Sequence, residues 1–488
     1  MRQALLIALT TLFLGPAGYA READLARIFL PGRAVLDADG DGFPEKPAVT
    51  IVVPDRPTSH ELALAADIAA RVNFESLALD LGLVRRESEV RGRRDLPGLI
   101  LVGGRLALAR EALKERGGPA AGALAAHQGL VFAFELKGQS GVACVAGSDE
   151  TLLRTGRAFF LRWPYFWEIW GREARATYDA LEEDLDKFLA EANARPSRTA
   201  VKEALYEFTV PPAAADSLQA LAFDQGQVRD LTVEVHFADD GRKARALDAL
   251  TALRSQKRKG IRTDVLSYPG CAGLSLVLRG RNASSRVELP RVGSTKRLLT
   301  PGFKDRPATE PAGKEFDLLG VFSTKAVYSD QDRDGIPDGL DTTVVIPAAL
   351  PAVGSATLAS RLVLDTAGAS FPIVRLDTEV EHRKSLAAPI LVGPNALTAD
   401  LVKTGKLKLP ELGPAEGLLK IVPKAFGTSS ALVVHAPDEA GLEGILAYLG
   451  RTFPHFEEFG DGHPQLGDAA ADMEKFLKGG KGAAASPS

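Results

Sequence analysis

The chain has 488 residues, of which 45% are apolar and 25% are charged, so it can bury substantial cores, and its length suggests about two to four domains. Its 59 Lys and Arg residues nearly balance its 63 Asp and Glu residues, which excludes a global field that would attract nucleic acid or an anionic membrane. The 47 Gly and 30 Pro residues follow no short period, so the composition indicates many turns and excludes a collagen-like or wholly disordered chain.

Residues 1–20 have the pattern of a cleaved secretory signal peptide. Arg2 gives a positive start, residues 4–14 form an apolar run, and small residues lead up to Ala20. This run is too short to cross a bilayer, and no later stretch reaches about 18 uninterrupted apolar residues. We therefore expect cleavage after Ala20 and a periplasmic or secreted protein with no membrane span.

The two cysteines of the chain are Cys144 and Cys271. They permit at most one disulfide, which excludes a scaffold built from disulfides. Cys144 lies in an apolar run that predicts a buried strand, where a free cysteine behaves as a small core residue. The sequence leaves both alternatives open, a bond between the two cysteines and two free thiols.

An internal repeat organises the chain. Residues 37–44 return as residues 330–337, with the sequences DADGDGFP and DQDRDGIP. Further matches follow in the same order: 99–103 with 389–393, 129–130 with 417–418, 149–150 with 438–439, 163–164 with 453–454, and 184–189 with 472–477. Ordered matches with small drift in their spacing indicate a duplication with short loop insertions.

Each copy alternates apolar runs with helical periodicity, which predicts α/β layers with crossover connections. In the first copy, Thr58 and Glu61 form a capping-box pattern that predicts the start of an Ala-rich helix. The predicted strands of this copy are 48–53, 99–102, 130–136 and 141–146, and its predicted helices are 58–72, 106–114, 150–162 and 178–191.

Residues 195–300 match neither copy. Alternating patterns predict strands near 205–210, 231–237 and 274–279, with a helix over 242–259. A small α+β central domain, flanked by two homologous α/β repeat domains, accounts for this order. The predicted boundaries are 1–20 for the signal peptide, 21–194 for the first repeat, 195–300 for the central domain, 301–320 for a linker, 321–478 for the second repeat and 479–488 for a disordered tail.

The sharpest chemical motif is the acidic loop of the second copy. Its carboxylates are spaced like the oxygen ligands of a hard cation, and Gly335 allows the sharp turn that such a loop needs. The predicted ligands are Asp330, Asp332, Asp334, the Ile336 carbonyl, Asp338 and Asp341. This stretch of about twelve residues resembles the calcium loops of thrombospondin type 3 repeats, which implies Ca²⁺ coordination. A solvated acidic turn is the alternative.

The first copy keeps Asp37, Asp39 and Asp41, but Glu45 stands in the place of Asp338, and Ala48 in that of Asp341. We expect this loop to bind calcium more weakly or not at all. Because each loop directly precedes a strand, a structural ion is expected rather than a catalytic one.

Trp163, Trp167 and Trp170 are the three tryptophans of the chain, and they lie within eight residues. Aromatic faces stack on sugar rings and anchor protein interfaces, so these residues are candidates for ligand binding. The second copy has Phe453 and Phe456 in this region, so packing of a helix onto its sheet is the alternative.

The search for catalytic motifs returns little. The sequence contains neither HExxH, nor GxSxG, nor a GxxxxGK[ST] phosphate loop. His455, Glu458 and His463 could ligate zinc, but they have no counterpart in the other copy. The basic residues of the predicted helix 242–259 suit a solvated face better than a site for an anionic polymer.

The order of elements in each repeat is similar to that of the accessory α/β domains that precede catalytic barrels in some bacterial glycosidases. The residues that carry this resemblance are 101–103, 129–130 and 146–149. It implies a non-catalytic exported module near polysaccharide. The leading hypothesis is an exported binding or scaffold protein with an unknown protein or glycan partner. The alternative is a hydrolase acting on cell-envelope or extracellular glycan.

Overall fold

A computed structural model of the chain describes residues 24–28, 33–40, 44–76, 80–93, 95–116, 121–136, 138–161, 178–208, 226–255, 271–290, 313–349, 353–380, 382–414 and 416–453. Several predicted features lie outside these ranges: the signal peptide, Asp41, the three tryptophans, the histidine cluster at 455–463 and the tail. The mixed α/β content predicted from the sequence is confirmed.

The first unit, residues 33–161, is built on five strands in the order β4-β3-β5-β7-β6. Neighbouring strands are parallel except for the hairpin of β6 and β7. A short hairpin of β1 and β2 precedes them. The strands are β1 (Val35–Leu36), β2 (Lys46–Pro47), β3 (Val49–Val53), β4 (Val84–Arg86), β5 (Gly98–Val102), β6 (Gln128–Leu136) and β7 (Gln139–Ala146). The helices are α1 (Ser59–Phe74), α2 (Glu87–Val90), α3 (Ala107–Glu115) and α4 (Asp149–Gly156).

Helix α1 starts at the predicted capping box. The Thr58 hydroxyl accepts the backbone N–H of Glu61 at 3.3 Å, and the Glu61 carboxylate accepts that of Thr58 at 2.8 Å. Every residue of α1 from Glu61 to Asn73 is buried. A helix that is apolar on most sides packs between two layers rather than at the surface of one sheet, and its many alanines allow close approach.

The central segment extends the first sheet. Strand β8 pairs antiparallel with β6, for example at Leu205 and Leu130, and the sheet reaches nine strands in the order β11-β10-β9-β8-β6-β7-β5-β3-β4. The sequence predicts a separate central domain, whereas the structure carries one sheet across the boundary at residue 195. The added elements are α5 (Tyr178–Glu191), β8 (Arg198–Phe208), β9 (Gly226–His236), α6 (Asp240–Ser255), β10 (Cys271–Arg279) and β11 (Ser284–Pro290).

The second unit, residues 321–453, has five strands in the order β15-β14-β16-β18-β17. This order and the direction of each pairing match those of β4-β3-β5-β7-β6. The strands are β12 (Tyr328–Ser329), β13 (Gly339–Leu340), β14 (Val344–Ile346), β15 (Val374–Leu376), β16 (Ile390–Val392), β17 (Leu418–Phe426) and β18 (Ser429–His435). The helices are α7 (Gly354–Leu364), α8 (Ala396–Lys403) and α9 (Glu439–Arg451).

The two units share one hydrophobic core. Helix α1 packs against α7, and a single buried cluster includes Ile68 of α1, Leu358 of α7 and strand residues of both sheets. The outer face of each sheet has its own smaller core, one with α3 residues and one with α8 residues. Burying a Leu or Ile side chain contributes about 1.5–3 kcal/mol, so the shared core is the main attachment between the units.

Cys144 lies on β7 as a fully buried free thiol, as expected of a small core residue. Burial in apolar surroundings raises the pKa of this thiol far above its ordinary value. No helix within the described ranges combines the length and the apolar character needed to span a membrane.

Candidate functional sites

Each acidic loop closes a short antiparallel hairpin at the entrance to an α/β unit. Strands β1 and β2 pair Leu36 with Lys46, and strands β12 and β13 pair Ser329 with Gly339. The first acidic loop, residues 37–45, and the second acidic loop, residues 330–338, therefore hold equivalent positions before β3 and β14.

The second acidic loop brings three of its predicted ligands together. One carboxylate oxygen each from Asp330, Asp332 and Asp338 lies within 4.8 Å of the other two. Backbone N–H groups hold these side chains in place: that of Arg333 donates to Asp330 at 2.7 Å, and that of Gln331 donates to Asp338 at 2.6 Å. We call these three residues the second triad.

The turn that carries the second triad uses left-handed backbone at two positions. Arg333 has φ of 65° and Gly335 has φ of 91°. Glycine adopts this region without steric cost, as the sequence predicts for Gly335. The Gly335 N–H donates to Asp330 at 3.1 Å, so the turn directs a backbone donor towards the acidic cluster.

The two other predicted carboxylate ligands of the second loop, Asp334 and Asp341, lie outside the second triad. The carboxylate of Asp341 pairs with the Lys314 ammonium group at 2.7 Å, and that of Asp334 accepts the backbone N–H of Ile336 at 2.8 Å. The Ile336 side chain is 60% exposed. The sequence places five carboxylates in one ligand set, whereas the structure clusters three. Lys314, from the predicted linker, accounts for the position of Asp341 outside the cluster.

The first acidic loop has the same arrangement with one substitution. Carboxylate oxygens of Asp37, Asp39 and Glu45 lie within 4.8 Å of one another. The Ala38 N–H donates to Glu45 as the Gln331 N–H donates to Asp338. Glu45 thus takes the structural role of Asp338 with one more methylene group. We call these residues the first triad; Asp41 lies outside the described residues.

Either triad could hold a metal ion. Three carboxylates at this separation repel one another unless a cation lies between them, and hard cations such as Ca²⁺ prefer oxygen ligands. Each oxygen that accepts one backbone N–H keeps a further lone pair for a cation. Within the described part of the chain, no Lys or Arg side chain pairs with the second triad, so the donor chemistry fits a hard divalent cation.

The second acidic loop is fastened to the end of α7. The carbonyl of Pro337 accepts the Ala367 N–H at 2.9 Å and the Thr366 hydroxyl at 3.1 Å. Nearby, the buried Tyr328 hydroxyl donates to Asp365 at 3.0 Å. Burial and the Asp365 carboxylate raise the pKa of Tyr328 well above its ordinary value. Order in this loop is therefore linked to the packing of α7 in the shared core.

A buried ionic cluster joins the two units. Arg157, in the π-helical turn after α4, donates to Asp67 of α1 at 3.1 Å and to Glu379 at 2.6 Å. The other oxygen of Asp67 accepts the N–H groups of Ile373 and Val374 at 2.9 and 3.0 Å. Asp67, Arg157 and Glu379, which we call the interface cluster, thus bind the edge strand β15 to the first unit.

Burial and pairing act in opposite directions within the interface cluster. Burial raises the pKa of Asp67 to about 6, although Arg157 and the two backbone N–H groups oppose that rise. Burial also tends to raise the pKa of Glu379, but Arg157 outweighs it and holds that pKa below its ordinary value. The interface cluster was not among the predicted functional residues. Its signal is a single charge inside the apolar run 62–70, at Asp67, and a charge directly before the apolar run 158–161, at Arg157.

A second polar contact lies at the carboxyl ends of β3 and β5. Ligands of open α/β sheets bind where strand order reverses, and β3 and β5 form such a point here. The Glu61 carboxylate pairs with Arg105 there while it caps α1. Burial raises the pKa of Glu61, although Arg105 opposes this. Both side chains are engaged in structural contacts.

The basic face of α6 also makes structural contacts. Arg242 pairs with Asp239 at 3.3 Å, and Lys243 donates to the carbonyl of Ala283 at 3.2 Å. These bonds engage two of the basic side chains with the residue before α6 and with the turn between β10 and β11. The predicted ligand-binding residues Trp163, Trp167 and Trp170 lie outside the described residues.

Comparison with models of known protein families gives no match, and comparison with curated proteins gives none either. The likeness to thrombospondin type 3 loops and to accessory domains of glycosidases therefore depends on the sequence patterns alone.

Proposed function

We propose that this chain is an exported, non-catalytic binding or scaffold protein whose acidic loops bind calcium and stiffen the entrance of each α/β unit. The observation that carries the proposal is the presence of matching carboxylate triads in two equivalent hairpin loops. One acidic turn has many explanations, but the same backbone bond in both loops supports a common role.

Calcium would act at these loops through charge. Each triad has a formal charge of −3 when ionised, and a divalent cation would offset the repulsion that otherwise loosens the turn. In the second loop this stabilisation would extend to the end of α7, because the Pro337 carbonyl accepts hydrogen bonds from Ala367 and Thr366. A structural ion thus fits better than a catalytic one.

The proposal also names the chemical class of the binding partner. Envelope or extracellular glycan is favoured by the proposed export and by the resemblance to glycosidase accessory domains. Trp167 would stack on a sugar ring, so Trp167→Ala should abolish glycan binding. Turnover of any glycan by the purified protein would overturn the non-catalytic part of the proposal and support the hydrolase alternative.

Thermal unfolding with excess calcium and then with chelator tests the metal part. A ligand that binds only the folded state at about 100 times its Kd adds about 2.7 kcal/mol, enough to raise Tm by several degrees. Asp332→Ala combined with Asp338→Ala should remove the contribution of the second triad. Asp334→Ala is the matched control, because this carboxylate lies in the same loop but outside the triad.

The outcomes separate the alternatives. An unchanged Tm with and without calcium would leave both loops as ordinary acidic turns and overturn the metal proposal. An equal loss in Asp334→Ala and in the double variant would contradict the three-carboxylate site and favour the larger ligand set predicted from the sequence. Magnesium in place of calcium tests selectivity, since Mg²⁺ requires a tighter octahedral arrangement.

A further inference from the structure

The interface cluster lies where the two units must separate if they open. Helix α1 supplies Asp67 and the turn after α4 supplies Arg157, whereas Glu379 and the edge strand β15 belong to the second unit. The side chains of Asp67 and Arg157 are 0% and 3% exposed. Separation of β15 from α1 would bring the Asp67 carboxylate into water and release the N–H groups of Ile373 and Val374.

The hydrogen-bonded cluster contains one more negative charge than positive charge. Two carboxylates, Asp67 and Glu379, share the single guanidinium group of Arg157. A proton on one carboxylate brings this group to formal neutrality, which a buried site favours. Asp67 is the more deeply buried acid and receives only the Nε donor of Arg157, so it is the group that takes the proton.

The neighbouring charges do not supply a second counterion through hydrogen bonds. Arg375 follows Val374 on β15, and alternation along the strand turns it to the other face, where its pairing partner Val345 lies in the outer core. The charge of Arg375 still attracts Glu379 and Asp67 electrostatically, most strongly Glu379. Its Nε and Nη2 atoms make no hydrogen bond within the described residues. Burial lowers the pKa of Arg375 to about 10, so it stays charged at neutral pH.

Other charged groups on the packed helices have their own partners. One turn along α1, Arg71 pairs with Glu75 at 2.6 Å. On α4, Arg154 lies 4.0 Å from Glu150. On α7, Arg361 acts electrostatically on the buried Tyr328. The remaining charged residues of α1 and α4 are Glu61 and Asp149, which face Arg105, and the other titratable residue of α1, His60, lies in its first turn. Asp365, directly after α7, accepts the Tyr328 hydroxyl hydrogen bond.

We propose that proton uptake by Asp67 tightens the docking of the second α/β unit on the first, so that the interface is a pH-sensitive lock. Acid closes the lock, and neutral or alkaline pH loosens it. The sign follows from burial, because the ionised carboxylate is better solvated in the open arrangement than in the closed one. The neutral acid still accepts the N–H groups of β15 through its carbonyl oxygen.

The size of the effect follows from the two pKa values. Asp67 titrates at about 6 when docked and near its ordinary 3.8 when exposed. By linkage, the Asp67 contribution to docking is fully present below the lower value and is lost as pH rises through the higher one, whereas Glu379, whose pKa docking lowers from 4.5, acts in the opposite direction at the acidic end. The expected change is up to about a hundredfold between pH 4 and pH 7.5.

Hydrogen exchange at the amides of Ile373 and Val374 tests the lock in the full chain. These amides donate to Asp67 and can exchange when β15 leaves α1. Exchange rates corrected for their intrinsic pH dependence should show up to about a hundredfold more protection at pH 4 than at pH 7.5. Asp67→Asn should remove this pH dependence, because the amide does not titrate.

Two further variants keep the test decisive. Glu61→Gln is the matched control, since it removes the other buried carboxylate of α1 and should leave the pH profile at Ile373 unchanged. Glu379→Gln leaves Arg157 to Asp67 alone, so it should move the midpoint to lower pH even if Asp67→Asn does not fold. Protection that falls on acidification, or a midpoint that Glu379→Gln leaves in place, would overturn the proposal.

Discussion

Each unit contacts the other through an edge strand of its sheet, but the contacts at the two edges differ in burial. At the edge of the second sheet, Val374 of β15 and Ile373 directly before it donate their backbone N–H groups to the fully buried Asp67. Strand β4, the equivalent edge of the first sheet, contacts the second unit through Arg86 and Glu439, whose side chains are 36% and 45% exposed. The ion pairs that lie beside these two equivalent edges are therefore in opposite environments, and burial decides how much each pair contributes to stability.

The outer edges of the two sheets differ as well. Strand β6 pairs with β8 and the first sheet continues, whereas β17 is the edge of the second sheet among the described residues. Pro423 lies within β17, and its pairing with β18 is irregular between Val422 and Phe426. Proline lacks a backbone N–H, and irregular pairing limits further strand addition. Pro423 and the irregular pairing therefore disfavour the addition of a further strand to β17.

The largest expected difference between the two edges is the loss of stability when the arginine at each edge is removed. Arg157→Ala leaves Asp67 buried beside two backbone donors and no cation, so we expect a loss of about 3–5 kcal/mol in the free energy of unfolding at pH 7.5. Arg86→Ala removes an exposed pair and should cost at most about 1 kcal/mol. Urea denaturation of both variants measures the difference.

The stability loss in Arg157→Ala should also depend on pH. Below pH 6 Asp67 can take a proton, so the loss in Arg157→Ala should shrink towards pH 5, while that of Arg86→Ala should hardly change. Equal losses in the two variants at pH 7.5 would show that burial does not distinguish the two edges.

A smaller effect is expected where a glycine in one unit faces an alanine in the other. Gly141 on β7 lies so close to β5 that a Cβ atom would stand 2.0 Å from the Leu99 carbonyl oxygen. Register places Ala431 of β18 at the equivalent position, where it is fully buried. Gly141→Ala should cost about 1–3 kcal/mol through overpacking, and Ala431→Gly about 0.5–1 kcal/mol through backbone entropy.

Thermal or urea unfolding of both variants provides the measurement. A neutral Gly141→Ala would mean that the first sheet can separate its strands as the second one does, and the glycine would then lose its structural explanation.

Local patterns in the sequence predicted local structure well. Strands expected at 48–53 and 99–102 appear as β3 and β5, and the capping box of Thr58 and Glu61 is confirmed. The pairing of β8 with β6 could not be predicted, because periodicity reports which face a residue occupies but not which strand lies beside it. The antiparallel match of Leu130 with Leu205 joins segments far apart in sequence.

The functional residues also divide into those that a local pattern predicts and those that depend on tertiary contacts. The acidic triads follow from spacing within a single loop, so the sequence found Asp330, Asp332 and Asp338 together with two neighbours that the structure uses elsewhere. The interface cluster combines residues from both units, and its energy depends on burial that no local pattern reports. Local patterns also do not show that a lysine competes with a metal ion for a carboxylate. Lys314, which pairs with Asp341, comes from a segment interpreted as a linker.

The smallest expected effect concerns the two acidic loops themselves. From sequence, the loss of both Asp338 and Asp341 equivalents makes the first loop the weaker calcium site. In the structure Asp341 is paired with Lys314, and Glu45 already fills the role of Asp338, so the two loops should differ less. With the first loop disabled by Asp39→Ala, Asp341→Ala should change the calcium Kd of the second loop by less than about threefold, or about 0.6 kcal/mol.

Asp338→Ala in the same background should weaken binding by at least about tenfold, because it removes one of three clustered carboxylates. Isothermal titration calorimetry distinguishes the two variants directly. A loss in Asp341→Ala as large as that in Asp338→Ala would mean that calcium draws Asp341 away from Lys314. The second loop would then have a ligand that Ala48 cannot supply in the first, and the two units would differ in metal affinity after all.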